Sequence, residues 1–139
     1  MNGSRTQRGF TLIEVMAVVV IIATLAAIAM NIYGNYVTRS KVQAAKSDLT
    51  ALARHLENEL RKNLVYGSHS QIGTMEIMGD YPGWRPSQIR YFTYTLHSEP
   101  TGYTLRAQGM NGSLSTCVLT LDSTETGDVS GHCGSVATW

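Results

Sequence analysis

Gly9, Phe10 and Glu14 put a small residue, an apolar one and, four positions on, a lone carboxylate at the head of an apolar stretch. Residues 10–30 read FTLIEVMAVVVIIATLAAIAM, 21 residues in which Glu14 is the single charge. As a helix this stretch covers about 31 Å, the thickness of a bilayer's hydrocarbon core. A carboxylate inside such a span costs roughly 2.5–3.5 kcal/mol on insertion scales and as a rule serves a function. A cut between Gly9 and Phe10 creates an α-amino group, and that cation on a neighbouring copy of the chain can neutralise Glu14. The expected chemistry is therefore hydrolysis of one bond in this chain, then charge pairing between copies.

The nine residues before the apolar stretch carry Arg5 and Arg8, like the basic region of an exported protein. An ordinary secretory signal is cut after its apolar region and loses it; here the small residue precedes it. A simple signal anchor, with Gly9 and Glu14 accidental, is the plain alternative, and it leaves the carboxylate uncompensated. Charge alone leaves the topology open, because Arg39, Lys41 and Lys46 oppose Arg5 and Arg8. Orientation rests on the leader and the cysteines.

Arg8-Gly9-Phe10-Thr11-Leu12-Ile13-Glu14-Val15-Met16 resembles the prepilin signature of type IV pilins and type II secretion pseudopilins. The resemblance implies cleavage after Gly9 by a membrane prepilin peptidase, methylation of the new terminus at Phe10 and a docking role for Glu14. It also implies assembly with other pilin subunits on an inner-membrane platform. The subunit would first sit in inner-membrane lipid as a single-pass protein, its C-terminus periplasmic, and then enter the filament. Pilins commonly carry proline where this chain has Asn31, with Gly34 as a nearby weak point, so transfer of the family's helix bend is open.

Other candidates are sparser. Cys117 and Cys133 enclose fifteen residues and, in a chain with an export-type N-terminus, read as a disulfide sooner than a metal site. The resemblance places such a bridge in the C-terminal region of pilins; with Trp139 it is most like PilE-type minor pilins. Histidines 55, 69, 97 and 132 show no paired metal-ligand spacing, and no nucleotide-binding glycine motif or nucleophile elbow occurs, so neither cofactor nor enzyme activity is expected. Asp122, Glu125 and Asp128 read as solvated turn residues ahead of a calcium site. Asn111-Gly112-Ser113 fits a glycosylation sequon and, better, a turn. Eleven basic against ten acidic residues leave a net charge of +1, which gives no general reason to expect nucleic acid. Arg85, Arg90 and Arg106, with tyrosine and tryptophan neighbours, are the candidates for DNA capture, set against ordinary exposed arginines.

One small unit plus a helix must position these groups. Beyond Met30, Val42, Ala45, Leu49, Leu52, Leu56 and Leu60 recur at three or four residues, with Lys41, Lys46, Arg54, Glu57, Glu59 and Arg61 assigned to other faces. One helix of about 80 Å over residues 10–63 is expected, its first half the assembly element. Glycines and prolines across 64–87 predict a loop, with Tyr81, Trp84 and Tyr91 either completing the core or forming a binding surface. Strands are expected at 88–96, 103–109 and 115–121, with a short fourth at 128–132, as an antiparallel meander packed on the helix. The layout is α+β, the type IV pilin fold that the resemblance implies: leader 1–9, membrane and assembly helix 10–30, amphipathic continuation 31–63, and loop and sheet 64–139. The function expected is a structural subunit, a minor pilin of a type IV pilus serving motility or adhesion. A type II secretion pseudopilin and a DNA-uptake pilin are the alternatives.

Overall fold

The computed structural model describes residues 9–139; Arg5, Arg8 and the rest of the leader lie outside the described residues. Two units divide at Gly34, and helix α1, Leu12–Asn63, contributes to both. Thr11 opens it: its hydroxyl accepts the Glu14 N–H at 3.3 Å and its carbonyl the Val15 N–H at 3.3 Å. Thr-x-x-Glu at this point is the sequence pattern of a capping box, and a carboxylate in the first turn suits the positive end of the helix dipole. The helix ends on Arg61 and Lys62, which suit its negative end, and Leu64 takes the left-handed position (φ 62°) with its N–H on the Leu60 carbonyl.

In the first unit every side chain described from Leu12 to Gly34 is exposed, and α1 contains a stretch long and apolar enough to cross a membrane. α1 is helical through positions 31 and 34.

In the second unit, the five strands form one antiparallel sheet in chain order. They are β1 His69–Gly73, β2 Phe92–Glu99, β3 Gly102–Gly109, β4 Val118–Asp122 and β5 Gly127–Ser130, with α2 Thr74–Asp80 between β1 and β2. Period-two alternation sends Phe92, Tyr94 and Leu96, Tyr103, Leu105 and Ala107, and Leu119 and Leu121 to one face. They form the core with Val42, Ala45, Leu49, Leu52 and Leu56 of α1, all fully buried. The opposite face carries Thr93, Thr95, Thr104, Arg106 and Thr120, and in register Thr95 lies beside Arg106 and Arg106 beside Thr120.

The structure corrects the expected elements at several points. The 64–87 segment is not all loop: β1 and α2 lie within it. β1 is irregular, with one extra residue between the His69–Ser98 and Ile72–Leu96 pairs and Gln71 at φ 60°. Residues 88–91 form a hydrogen-bonded turn, with the Tyr91 and Phe92 N–H groups both on the Gln88 carbonyl at 2.9 Å, so the first expected strand starts at Phe92. The third starts at Val118, after a 3-10 turn over Gly112–Leu114, and the fourth is Gly127–Ser130. Lys46, assigned to an outer face, is 7% exposed; its ammonium reaches the Thr138 carbonyl at 2.5 Å and lies 5.4 Å from the Trp139 ring. Burial lowers its pKa.

Candidate functional site

At the N-terminal end, Gly9 and Phe10 precede α1 in exposed chain outside any helix or strand, Phe10 being 82% exposed. A Cβ on Gly9 would meet nothing within 4 Å, so packing places no demand for glycine there. Glu14 is exposed in the first turn of the helix, where its N–H contact with Thr11 also gives it a local role at the helix start. The three residues are thus exposed at the head of an apolar helix.

Within the second unit the residue that positions most others is Asp48, which sequence reasoning missed. It is 8% exposed, and its carboxylate accepts the Ser87 N–H (3.0 Å), the Ser87 hydroxyl (3.1 Å), the Gln88 N–H (3.1 Å) and the Tyr94 hydroxyl (2.6 Å). Its backbone carbonyl accepts the Trp84 indole N–H at 2.9 Å. One position on α1 therefore fixes the segment bearing Arg85, Arg90 and Tyr91. Burial first, and then the hydrogen bond to Asp48, pushes the Tyr94 phenol far above its ordinary pKa. Tyr66, hydrogen-bonded to Glu57 at 2.8 Å, is pushed up to about 12, again chiefly by burial.

The three arginines are all exposed. Arg106 lies on the outer sheet face with its guanidinium on Gln108 (2.9 Å), and Arg85 donates to the neighbouring Trp84 carbonyl (3.3 Å). Of the three flagged aromatics, Trp84 is a core residue at 2% exposure and Tyr81 is partly buried. Tyr91 is 38% exposed, and Lys41 sits 3.7 Å from its ring centre, a cation and aromatic pair that the sequence spacing hides.

The remaining candidates are structural. Cys117 and Cys133 form a disulfide across the β4–β5 hairpin, both buried. Asp122 organises the β4–β5 turn by accepting the Thr124 hydroxyl (2.6 Å) and the Thr124 and Thr126 N–H groups, which hold its pKa low, the hydroxyl most. Asn111, Gly112 and Ser113 lie in an exposed turn. No group of three or more His, Cys, Asp or Glu side chains is arranged to hold a metal among the described residues.

Residues 4–30 match the family model of the prokaryotic N-terminal methylation motif. Residues 32–134 match the family described as type IV minor pilin ComP, DNA uptake sequence receptor. Type IV major fimbrial protein FimA of Dichelobacter nodosus is 32% identical over 121 residues, 77% of this chain and 74% of that protein. Type II secretion system core protein G of Pseudomonas aeruginosa is 33% identical over 129 residues, 88% of this chain and 89% of that protein. The crystal structure of the Neisseria meningitidis non-core minor pilin PilV shares the fold, with a TM-score of 0.52 at 24% identity over 70% of this chain and 90% of that one. With a methylation motif at its head and a minor pilin family model over most of the remainder, this chain belongs to the type IV pilin family.

Proposed function

We propose that this chain is a minor pilin of a type IV pilus, cut between Gly9 and Phe10 by a prepilin peptidase, methylated at Phe10 and assembled through its N-terminal helix. As a type IV pilin it joins other pilin subunits in a filament. The observation that carries the processing route is the methylation motif over residues 4–30, ending in an apolar helix whose one charge is Glu14. Before assembly the subunit spans the inner membrane once, with the second unit in the periplasm, and is taken up by the assembly platform. Glu14 pairs with the Phe10 amino group of a neighbouring subunit, which removes the cost of a carboxylate in an apolar setting. The role is structural rather than enzymatic. Intact mass and N-terminal sequencing in cells with and without the peptidase test this. A chain starting at methylated Phe10 only when the peptidase is present is expected; an uncut chain, or one cut after the apolar stretch, overturns the reading. Similarity to secretion core protein G leaves a pseudopilin as the rival machine, distinguished by whether the processed chain is found in surface pili.

A second reading, capture of DNA during uptake, is favoured by the family match over residues 32–134. On it, the exposed Arg85, Arg90 and Arg106 contact phosphates. Replacing all three with glutamine is expected to weaken DNA binding by about tenfold or more and to flatten its salt dependence by up to about three phosphate contacts. Unchanged binding removes these residues from any DNA site.

A further inference from the structure

The contact that joins β1 to α2 has a proton count fixed by geometry. The Ser98 hydroxyl donates to the Gly67 carbonyl at 2.5 Å and lies 3.0 Å from His69 Nδ1. Serine has a single hydroxyl proton and a carbonyl only accepts, so that proton belongs to Gly67 and Nδ1 must donate to Ser98. On the other side of the ring, Nε2 lies 3.2 Å from Asp80 Oδ2, and a carboxylate also only accepts. A neutral imidazole with its proton on Nδ1 would turn a lone pair toward Asp80. The imidazolium alone satisfies both contacts while Ser98 keeps its bond to Gly67.

We infer that His69 is a proton-operated latch: charged, it fastens the C-terminal end of α2 to the β1–β2 edge, and on losing its proton, with Ser98 still bonded to Gly67, it must give up one of the two contacts. Ser98 is 2% exposed, so the hydroxyl side of the latch is fixed. Asp80 has about half of its side chain exposed (51%) and is the side that lets go. The ring faces further ionisable groups from each element around it. On α1, Glu59 favours the charged ring: a Cβ on Gly67 would stand 2.8 Å from Glu59 Oε1 and 3.1 Å from His69 Cε1. Lys62, lining the same cleft of about 470 Å³ with His55, opposes it. After α2, Tyr81 places its ring 6.1 Å from His69 and gives its hydroxyl proton to Glu59 at 2.8 Å. Release of Asp80 frees one wall of that cleft, so the surface presented by residues 74–83 changes with pH in the range where histidine charge changes.

Hydrogen exchange of the full chain in detergent micelles tests the latch, read at the Tyr81 N–H, bonded to the Ile77 carbonyl, and the Trp84 N–H, bonded to the Tyr81 carbonyl. After correction for chemical exchange, these amides are expected to exchange roughly two- to fivefold faster at about pH 8 than at about pH 5.5, the size expected of a partly exposed ion pair. Asp80→Asn should keep the protection and abolish the difference, because the new amide N–H donates to Nε2 of the neutral ring. Ser98→Ala should abolish it by another route, since the neutral ring is then free to carry its proton on Nε2 toward Asp80. His55→Gln should leave the wild-type difference intact. A wild-type chain with no difference overturns the latch, as does a full-size difference in either folded variant, or its loss in His55→Gln.

Discussion

Asp48→Ala is expected to destabilise the second unit by about 2–4 kcal/mol, the largest effect of any single side chain outside the apolar core. The size follows from what is left behind. The Tyr94 hydroxyl, which is fully buried, and the Ser87 and Gln88 N–H groups lose their acceptor together. A buried donor without a partner costs about 1–3 kcal/mol, which falls in full on the Tyr94 hydroxyl beside Phe92 and Trp84, while the Ser87 and Gln88 N–H groups, less buried, keep some access to water. Tyr94→Phe alone removes one donor and should cost only about 1 kcal/mol. In the double variant the hydroxyl is no longer orphaned, so the summed single effects should exceed the double by about 1 kcal/mol or more. Thermal or urea unfolding followed by tryptophan fluorescence reads this directly, since Trp84 is held by the Asp48 carbonyl. Strict additivity, or a loss below about 1 kcal/mol for Asp48→Ala, would mean that water or another side chain already serves these donors.

Asp48 also shows where the sequence was hard to read. Its position is three residues past Ala45 and four before Leu52, so it falls on the apolar stripe of α1, while its charge marks it as a surface residue. Only the partners arriving from 84–94 resolve the conflict, and they are far away in sequence. Lys46 was misassigned for the same reason: its acceptor, Thr138, lies 92 residues on. Features governed by near neighbours were legible. The helix extent follows from composition and period, and the β2–β4 meander follows from alternation to within a few residues at each end. β1 was not, because HSQIG has little alternation and a bulge breaks its register. α2 was hidden by its seven-residue length, about two turns among glycines and prolines. At the head of the chain the methylation motif over residues 4–30 was legible, since it rests on chain order and one charge in an apolar span. The arginine set was the least, because exposure and spacing alone do not say which residues share a surface.

Replacing Cys117 and Cys133 together with alanine is expected to cost about 3 kcal/mol, the value for closing a loop at their sequence separation of 16. For a unit of this size the loss corresponds to a fall in melting temperature of about 10–20 °C. Alanine keeps both sites apolar, so the change isolates the cross-link from the burial of a new polar group. The bridge closes the β4–β5 hairpin and fixes the start of the tail in which Thr138 reaches Lys46 and Trp139 lies over Gly127, where a Cβ would stand 2.0 Å from the indole. If the stabilisation acts by restricting the unfolded chain, the variant should also show a steeper urea dependence, because its unfolded state exposes more surface. A similar loss of stability with an unchanged slope would place the effect in the folded tail instead, through Lys46 and Trp139. A melting temperature within about 2 °C of the parent would show that the hairpin ladder and the tail contacts hold this corner without the bridge.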